Sequence, residues 1–130
     1  MNTKAKGALQ ERRARDVLVS QGFVVTKSSG SLGTWDLVAI NQCDPDLDIR
    51  LFMPLVRLIQ VKSNRWPRSG EMEELRESAR VHPLPWFSCE IWRYDDAAGW
   101  KLKSVHEGVE MDSRRLRPER RVPVEAEEDT

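Results

Sequence analysis

Two short apolar runs constrain the fold most. Each carries polar residues at positions that are normally apolar in a buried strand. WDLVAIN (35–41) holds Asp36 near its start, and VRLIQVK (56–62) holds Gln60 and Lys62 near its end. Both runs are rich in β-branched residues, which favours strands. Gln60 and Lys62 are two apart, so they point to the same face of such a strand. If the two strands pair, about 4.8 Å apart, Asp36 and Gln60 converge on one point.

The other predicted elements surround these runs. Lys4 to Gln21 reads as a helix rich in good helix formers, with Gly22 as its C-cap. Residues 69–81 predict a second helix, with Ser69 as its N-cap. Further strands are predicted over 23–27, 85–95 and 100–105. The order helix, three strands, helix, two strands indicates an α/β or α+β domain with one mixed sheet.

A length of 130 residues suits a single domain. We expect residues 1–107 to form it, and the charged, proline-broken residues 108–130 to be a loosely ordered tail. No apolar run approaches the roughly 18–20 residues of a membrane span, and the N-terminus lacks the apolar centre of a signal peptide. Cys43 and Cys89 lack metal-ligand spacing. They read as reduced thiols in a cytoplasmic protein.

Charge is balanced overall but segregated along the chain, with 21 basic and 21 acidic residues. Residues 1–35 carry six cations against two acids. Residues 57–68 carry four cations and no acid: Arg57, Lys62, Arg65 and Arg68. Segregation of this kind makes a basic face on a neutral molecule, which suits a phosphate backbone.

The polar residues of the two strands have a chemistry in common. Carboxylate and amide oxygens, a backbone carbonyl and water are the ligands that Mg²⁺ accepts. A lysine beside such an ion polarises an attacking water or stabilises charge that develops at phosphorus. Glu11 lies near the edge of the buried stripe of the first helix, where a carboxylate reaches a cleft.

The order of these residues resembles the PD-(D/E)XK nuclease superfamily, and more narrowly the archaeal-type Holliday junction resolvases and their phage relatives. The resemblance covers roughly residues 4–64. The matching positions are Lys6-Gly7, Glu11, Gly22-Phe23, Ser28 to Ser31, Asp36, and Gln60 with Lys62. Each motif is weak alone, whereas their order and spacing together are moderately specific.

The resemblance implies a restriction-endonuclease-like fold with a central mixed sheet, and a homodimer that cuts four-way DNA junctions with Mg²⁺, or with Mn²⁺ as a substitute. It implies that Asp36, Gln60, the Val61 carbonyl and Glu11 hold the metal, and that Lys62 assists catalysis. Glu11, Asp36, Gln60 and Lys62 are therefore the predicted catalytic residues. The predicted DNA contacts are Lys6, Arg12, Arg13, Ser28, Ser29, Ser31, Arg65, Trp66 and Arg68.

Gln60 departs from the family pattern, in which an acid stands two residues before the lysine. An amide oxygen ligates Mg²⁺ but is neutral, so the site loses one negative charge. This leaves open a weaker, Mn²⁺-favouring site or a DNA-binding module that no longer cuts. Cleavage of duplex, flap or single-stranded DNA, and an interaction protein without nucleic acid, are further alternatives. In the last, Asp36 caps a turn, Lys62 is a solvated cation and Glu11 pairs with Arg15.

Overall fold

The computed structural model describes residues 3–28 and 34–111, which form one five-stranded sheet between two helices. In chain order the elements are α1 (Thr3–Ser20), β1 (Phe23–Lys27), β2 (Leu37–Asn41), a 3-10 turn (Ile49–Phe52), β3 (Val56–Ser63), α2 (Ser69–Arg80), β4 (Phe87–Asp95) and β5 (Gly99–Ser104). The strands lie side by side in sequence order. The β3–β4 pair is parallel and the other pairs are antiparallel. The mixed sheet and its element order confirm the predicted fold class.

Alternation along the strands divides the core into two layers. The layer under α1 is formed by Ala14, Leu18, Leu37, Ala39, Ile59, Trp92 and Leu102. The layer under α2 is formed by Trp35, Leu58, Leu75, Ala79, Cys89, Ile91 and Val105. Because Leu58 faces α2 and side chains alternate, Gln60 and Lys62 lie on the α2 face of β3 as well.

The ends of the two helices have different local causes. Gly22, which follows α1, adopts φ +94°, a left-handed conformation that costs glycine little. At the start of α2, Arg68 occupies the N-cap position without a capping side-chain hydrogen bond. Ser69 is the first helical residue, so its prediction as the N-cap was wrong.

Helix α2 makes the crossover that the parallel β3–β4 pair requires.

The chain continues to pack beyond residue 107. The Val109 carbonyl accepts the Ser104 N–H at 2.9 Å, and the Met111 N–H donates to the Leu102 carbonyl at 2.8 Å. Met111 also packs against the core layer under α1. Residues 112–130 lie outside the described part, so the loosely ordered tail stays a prediction. No helix in the described ranges has both the length and the apolar character of a membrane span.

A buried ion pair ties the middle of the sheet to the end of α1. Arg57 donates to both carboxylate oxygens of Glu90, at 2.9 and 2.7 Å, and to Oε1 of Gln21 at 3.0 Å. Glu90 also accepts the Trp92 indole N–H at 2.8 Å. Arg57 is 4% exposed and Glu90 0%. Arg57 therefore does not belong to the basic face, where its position among four cations had placed it.

The pKa of Glu90 reflects opposing effects. Burial raises it, but the charge and hydrogen bonds of Arg57, with further bonds from Ser88 and Trp92, hold it below the usual range. A carboxyl group whose folded pKa is below its unfolded value stabilises the fold above the unfolded pKa. That contribution is lost as the pH falls through the folded pKa.

We predict that Arg57→Leu lowers the free energy of unfolding by roughly 3–5 kcal/mol at pH 7, because the Glu90 charge is left buried without its partner. The double variant Arg57→Leu/Glu90→Leu is expected to lose less than Arg57→Leu alone. Urea unfolding of the wild type, of Arg57→Leu and Glu90→Leu separately, and of the double variant measures both effects. Additive losses from the two substitutions would contradict a coupled pair.

Candidate active site

Asp36 completes the hydrogen bonding of β3 at the point where β2 begins. The antiparallel register pairs Leu37 with Ile59, so residue 35 would face Val61 if β2 extended further. Trp35 instead packs under α2, where its indole N–H donates to Oγ of Ser78 at 2.7 Å. Because Trp35 does not pair with Val61, Oδ2 of Asp36 accepts the Val61 N–H instead, at 2.8 Å. The Asp36 carboxylate therefore supplies the acceptor for the Val61 N–H that a continuation of β2 would otherwise supply.

Among the described residues, the hydrogen bond found to the Asp36 carboxylate is the one from the Val61 N–H to Oδ2. The Asp36 N–H donates to the Ile59 carbonyl at 2.9 Å, which fixes the backbone against β3. The N–H and carbonyl of one strand residue point toward the same neighbouring strand, so the Val61 carbonyl also lies on the Asp36 side. Oδ1 of Asp36 and the Val61 carbonyl are thus candidate ligands on one edge of β3.

A cavity of about 420 Å³ opens beside Asp36. It is lined by Thr34, Asp36, Gln60, Glu71, Glu74 and Leu75. Oε1 of Gln60 is buried and has no hydrogen-bond partner in the described ranges. A buried amide oxygen without a donor costs about 1–3 kcal/mol, unless a water or a cation satisfies it. The larger cavity, of about 520 Å³, lies away from this chemistry, around Met53, Pro54, Leu84 and Pro85.

These oxygens fit a hard divalent cation such as Mg²⁺. They are a carboxylate oxygen of Asp36, the amide oxygen of Gln60 and the Val61 carbonyl. Within residues 3–28 and 34–111, no three His, Cys, Asp or Glu side chains lie together at metal-binding spacing. The donor set is therefore suitable in kind but low in negative charge, as the neutral Gln60 implies.

The pKa of Asp36 is raised above its ordinary value. Burial is the main cause, and the nearby Glu11 charge adds to it, while the Val61 N–H, Lys62 and Lys27 act in the opposite direction. Glu11 therefore lies close enough for its charge to be felt at Asp36. A cation beside a carboxyl group with a raised pKa stabilises the ionised form of that group.

Glu11 itself is partly buried, with 21% of its side chain exposed, and its Oε1 lies 3.7 Å from the Lys27 ammonium. Glu11 thus pairs across to the end of β1. The alternative pair with Arg15, one turn along α1, does not form. Glu11 approaches the site from the α1 side.

Lys62 donates a hydrogen bond to Oε2 of Glu71, in the first turn of α2. The other oxygen of Glu71 lies 3.8 Å from the Arg65 guanidinium. The Lys62 hydrogen bond is the main reason that the pKa of Glu71 is held below its usual range. Sequence reasoning missed Glu71, because an acid in the first turn of a helix is already explained by the helix dipole. The available signal was the short connection from β3 to α2, which returns the chain to the face of Gln60 and Lys62.

The predicted DNA-binding residues fall into separate places. Lys6 pairs with Asp96 at 3.1 Å, and the Arg13 guanidinium lies 4.5 Å from the centre of the Tyr94 ring. Both contacts are at the β4–β5 end of the sheet. Arg12 is exposed on α1.

The remaining predicted contacts follow β1 and β3. Arg65 and Arg68 are exposed after β3, near the cavity that Glu71 lines. Ser28 donates its N–H to the Asp36 carbonyl at 2.9 Å, and its buried hydroxyl has no partner among the described residues. Ser29 and Ser31 lie outside the described residues.

Two cations lie over the Trp66 ring system. The Arg93 guanidinium and the Lys103 ammonium each lie 4.6 Å from the centre of its ring system. The ring also packs against the core layer under α2. A base that stacked on Trp66 would compete with these cations for the ring, and their positions were not visible in the sequence.

The sequence matches no protein-family model, and no curated protein matches it. Among solved structures, it is similar to Hjc, a Holliday junction resolvase from the archaeal hyperthermophile Archaeoglobus fulgidus, with a TM-score of 0.56 and 20% sequence identity. The similarity covers 85% of this chain and 87% of that chain. An identity of this size establishes the fold alone. The predicted resemblance is confirmed at that level: the chain has the restriction-endonuclease-like fold of this archaeal resolvase.

Proposed function

We propose that the protein is a metal-dependent endonuclease that cuts four-way DNA junctions as a homodimer. One observation carries the proposal. The Asp36 carboxylate lines one cavity with the buried amide oxygen of Gln60, which has no partner among the described residues, in a chain with the fold of a junction resolvase. Lys62 contacts Glu71 in the wall of that cavity. Two copies related by a two-fold axis suit a substrate that is itself nearly two-fold symmetric.

In this proposal Asp36, Gln60 and the Val61 carbonyl hold Mg²⁺, and Glu11 adds its charge from α1. A bound Mg²⁺ lowers the pKa of a water and neutralises charge on the scissile phosphate. The Val61 N–H fixes the orientation of the Asp36 carboxylate through its hydrogen bond. The Lys62 ammonium lies where it stabilises charge that develops at the phosphate. Exposed Arg12, Arg65 and Arg68 hold the DNA backbone without reading its sequence.

The neutral Gln60 supports a second candidate, a DNA-binding module that does not cut. Its amide leaves Asp36 as the only carboxylate among the three proposed ligands Asp36, Gln60 and the Val61 carbonyl, with Glu11 further back on α1. Weak metal binding would then leave junction binding intact. Metal binding and cleavage are therefore tested separately.

The metal test compares the wild type with Asp36→Asn and Gln60→Glu, without DNA. We predict that millimolar Mg²⁺ or Mn²⁺ raises the Tm of the wild type by several degrees. Saturation at about 100 times Kd adds about 2.7 kcal/mol. Gln60→Glu is expected to respond at lower Mg²⁺ concentrations, because it restores a negative charge. Asp36→Asn is expected to show no rise. Equal shifts in the wild type and Asp36→Asn would place the metal elsewhere.

Asp36→Asn also has an expected effect without metal. Because burial raises the pKa of Asp36, the ionised carboxylate opposes folding at neutral pH, whereas asparagine retains an oxygen for the Val61 N–H. We predict that metal-free Asp36→Asn is at least as stable as the wild type at pH 7. The difference should shrink as the pH falls and the wild-type carboxyl group is protonated. Thermal unfolding in EDTA from pH 4 to pH 8 measures both, and a clear loss of stability at pH 7 would contradict it.

The activity test uses a labelled four-way junction and a matched linear duplex, with Mg²⁺, Mn²⁺ or EDTA. We predict symmetric nicks in the junction only. They should disappear in EDTA and fall by roughly 100-fold or more in Asp36→Asn and Lys62→Ala. Junction affinity is expected to decrease steeply with salt. Tight junction binding without nicks in either metal would favour the non-cleaving module, and cutting of the linear duplex would remove junction selectivity.

A further inference from the structure

Glu71 bridges two cations that the proposed function assigns to DNA. Its Oε2 accepts a hydrogen bond from Lys62, and its Oε1 lies 3.8 Å from Arg65. A phosphodiester likewise carries one negative charge on two non-bridging oxygens. The carboxylate therefore stands between Lys62 and Arg65 as a phosphate group would, at the wall of the cavity lined by Asp36 and Gln60.

Glu71 is more exposed than Lys62, the partner with which it shares a hydrogen bond. The Lys62 side chain is 16% exposed, and it extends from a strand in the centre of the sheet. Glu71 is 37% exposed and Arg65 52%. The Glu71 carboxylate can turn outward into water, and its charge is still favoured there by the N-terminus of α2. Lys62 has no comparable route away from the cavity.

We propose that Lys62 and Arg65 form a phosphodiester-binding subsite that Glu71 fills in the DNA-free protein. A phosphate of the DNA backbone displaces Glu71 and takes over both cations. The inference rests on the proposed function, because it requires that DNA enters this cavity. Glu71 is then an internal competitor of the DNA. Each time a DNA phosphate enters the subsite, the Lys62–Glu71 hydrogen bond breaks.

The chain offers a matched control for this competition. Glu74 lines the same cavity one turn further along α2, and it makes no ion pair with Lys62 or Arg65. Glu71→Gln and Glu74→Gln each remove one negative charge from the cavity wall while keeping the side-chain shape. A general electrostatic effect on DNA would be similar in the two variants, whereas displacement concerns Glu71 alone.

The experiment measures the Kd of a fluorescent four-way junction in EDTA at fixed salt, so that no cutting occurs. Glu71→Gln is expected to bind about threefold to tenfold more tightly than the wild type, the range for a partly exposed charged hydrogen bond. Glu74→Gln is expected to change Kd by less than about twofold. In a Lys62→Ala/Arg65→Ala background, Glu71→Gln should have no further effect, because the cations that Glu71 occupies are gone.

The outcomes separate this inference from the function on which it rests. Equal tightening by Glu71→Gln and Glu74→Gln, or weaker binding by a folded Glu71→Gln, would overturn the subsite while leaving DNA binding intact. Persistence of the Glu71→Gln effect without Lys62 and Arg65 would overturn it too. If the wild type binds neither junction nor duplex, the proposed function fails and the subsite fails with it. Thermal unfolding of each variant confirms that it is folded.

Discussion

The site depends on the need of each buried backbone N–H for an acceptor. Where Trp35 leaves the line of β2 to pack under α2, the Val61 N–H loses its strand partner, and Asp36 supplies an oxygen instead. The same hydrogen bond fixes the carboxylate beside the cavity. The acid that completes the sheet is thus also the one to which the proposed function assigns an ion. One carboxylate oxygen of Asp36 accepts the Val61 N–H, and the other is the oxygen that the proposed function assigns to the ion.

Among the described residues, little free negative charge lies around the Asp36 carboxylate. Asp36 is hard to ionise because it is buried, Gln60 adds an oxygen without charge, and Glu71 is engaged by Lys62 and Arg65. A protein with an acid at position 60 would place two buried carboxylates beside each other and face their mutual repulsion. The neutral amide avoids that repulsion. The consequence is weaker attraction for a metal ion.

Much of the fold was predictable because it follows from local patterns. The β-branched runs, the helix formers of α1 and the terminating Gly22 predicted the elements and their order to within a few residues. The convergence of Asp36 with Gln60 and Val61 followed from strand geometry once β2 and β3 pair. Contacts between elements distant in sequence were not predictable. Arg57 reads as one more surface cation until Glu90, 33 residues later, is known to lie beside it. The cations beside Trp66 and the partner of Glu71 were not predictable for the same reason, because they come from β4, β5 and β3.

The antiparallel pairing of β2 with β3 has a consequence for how the sequence can change. Asp36, Gln60 and Lys62 are brought together by the register of this one strand pair. Residues 42–51, which join the strands, are exposed, so their number is free to vary while the ladder holds the register. A single residue inserted within β3 ahead of Gln60 would instead turn Gln60 and Lys62 toward α1, on the opposite face of the sheet. Insertions in the connection are therefore expected to have little effect, whereas an insertion within β3 would separate Gln60 and Lys62 from Asp36 and from the proposed site.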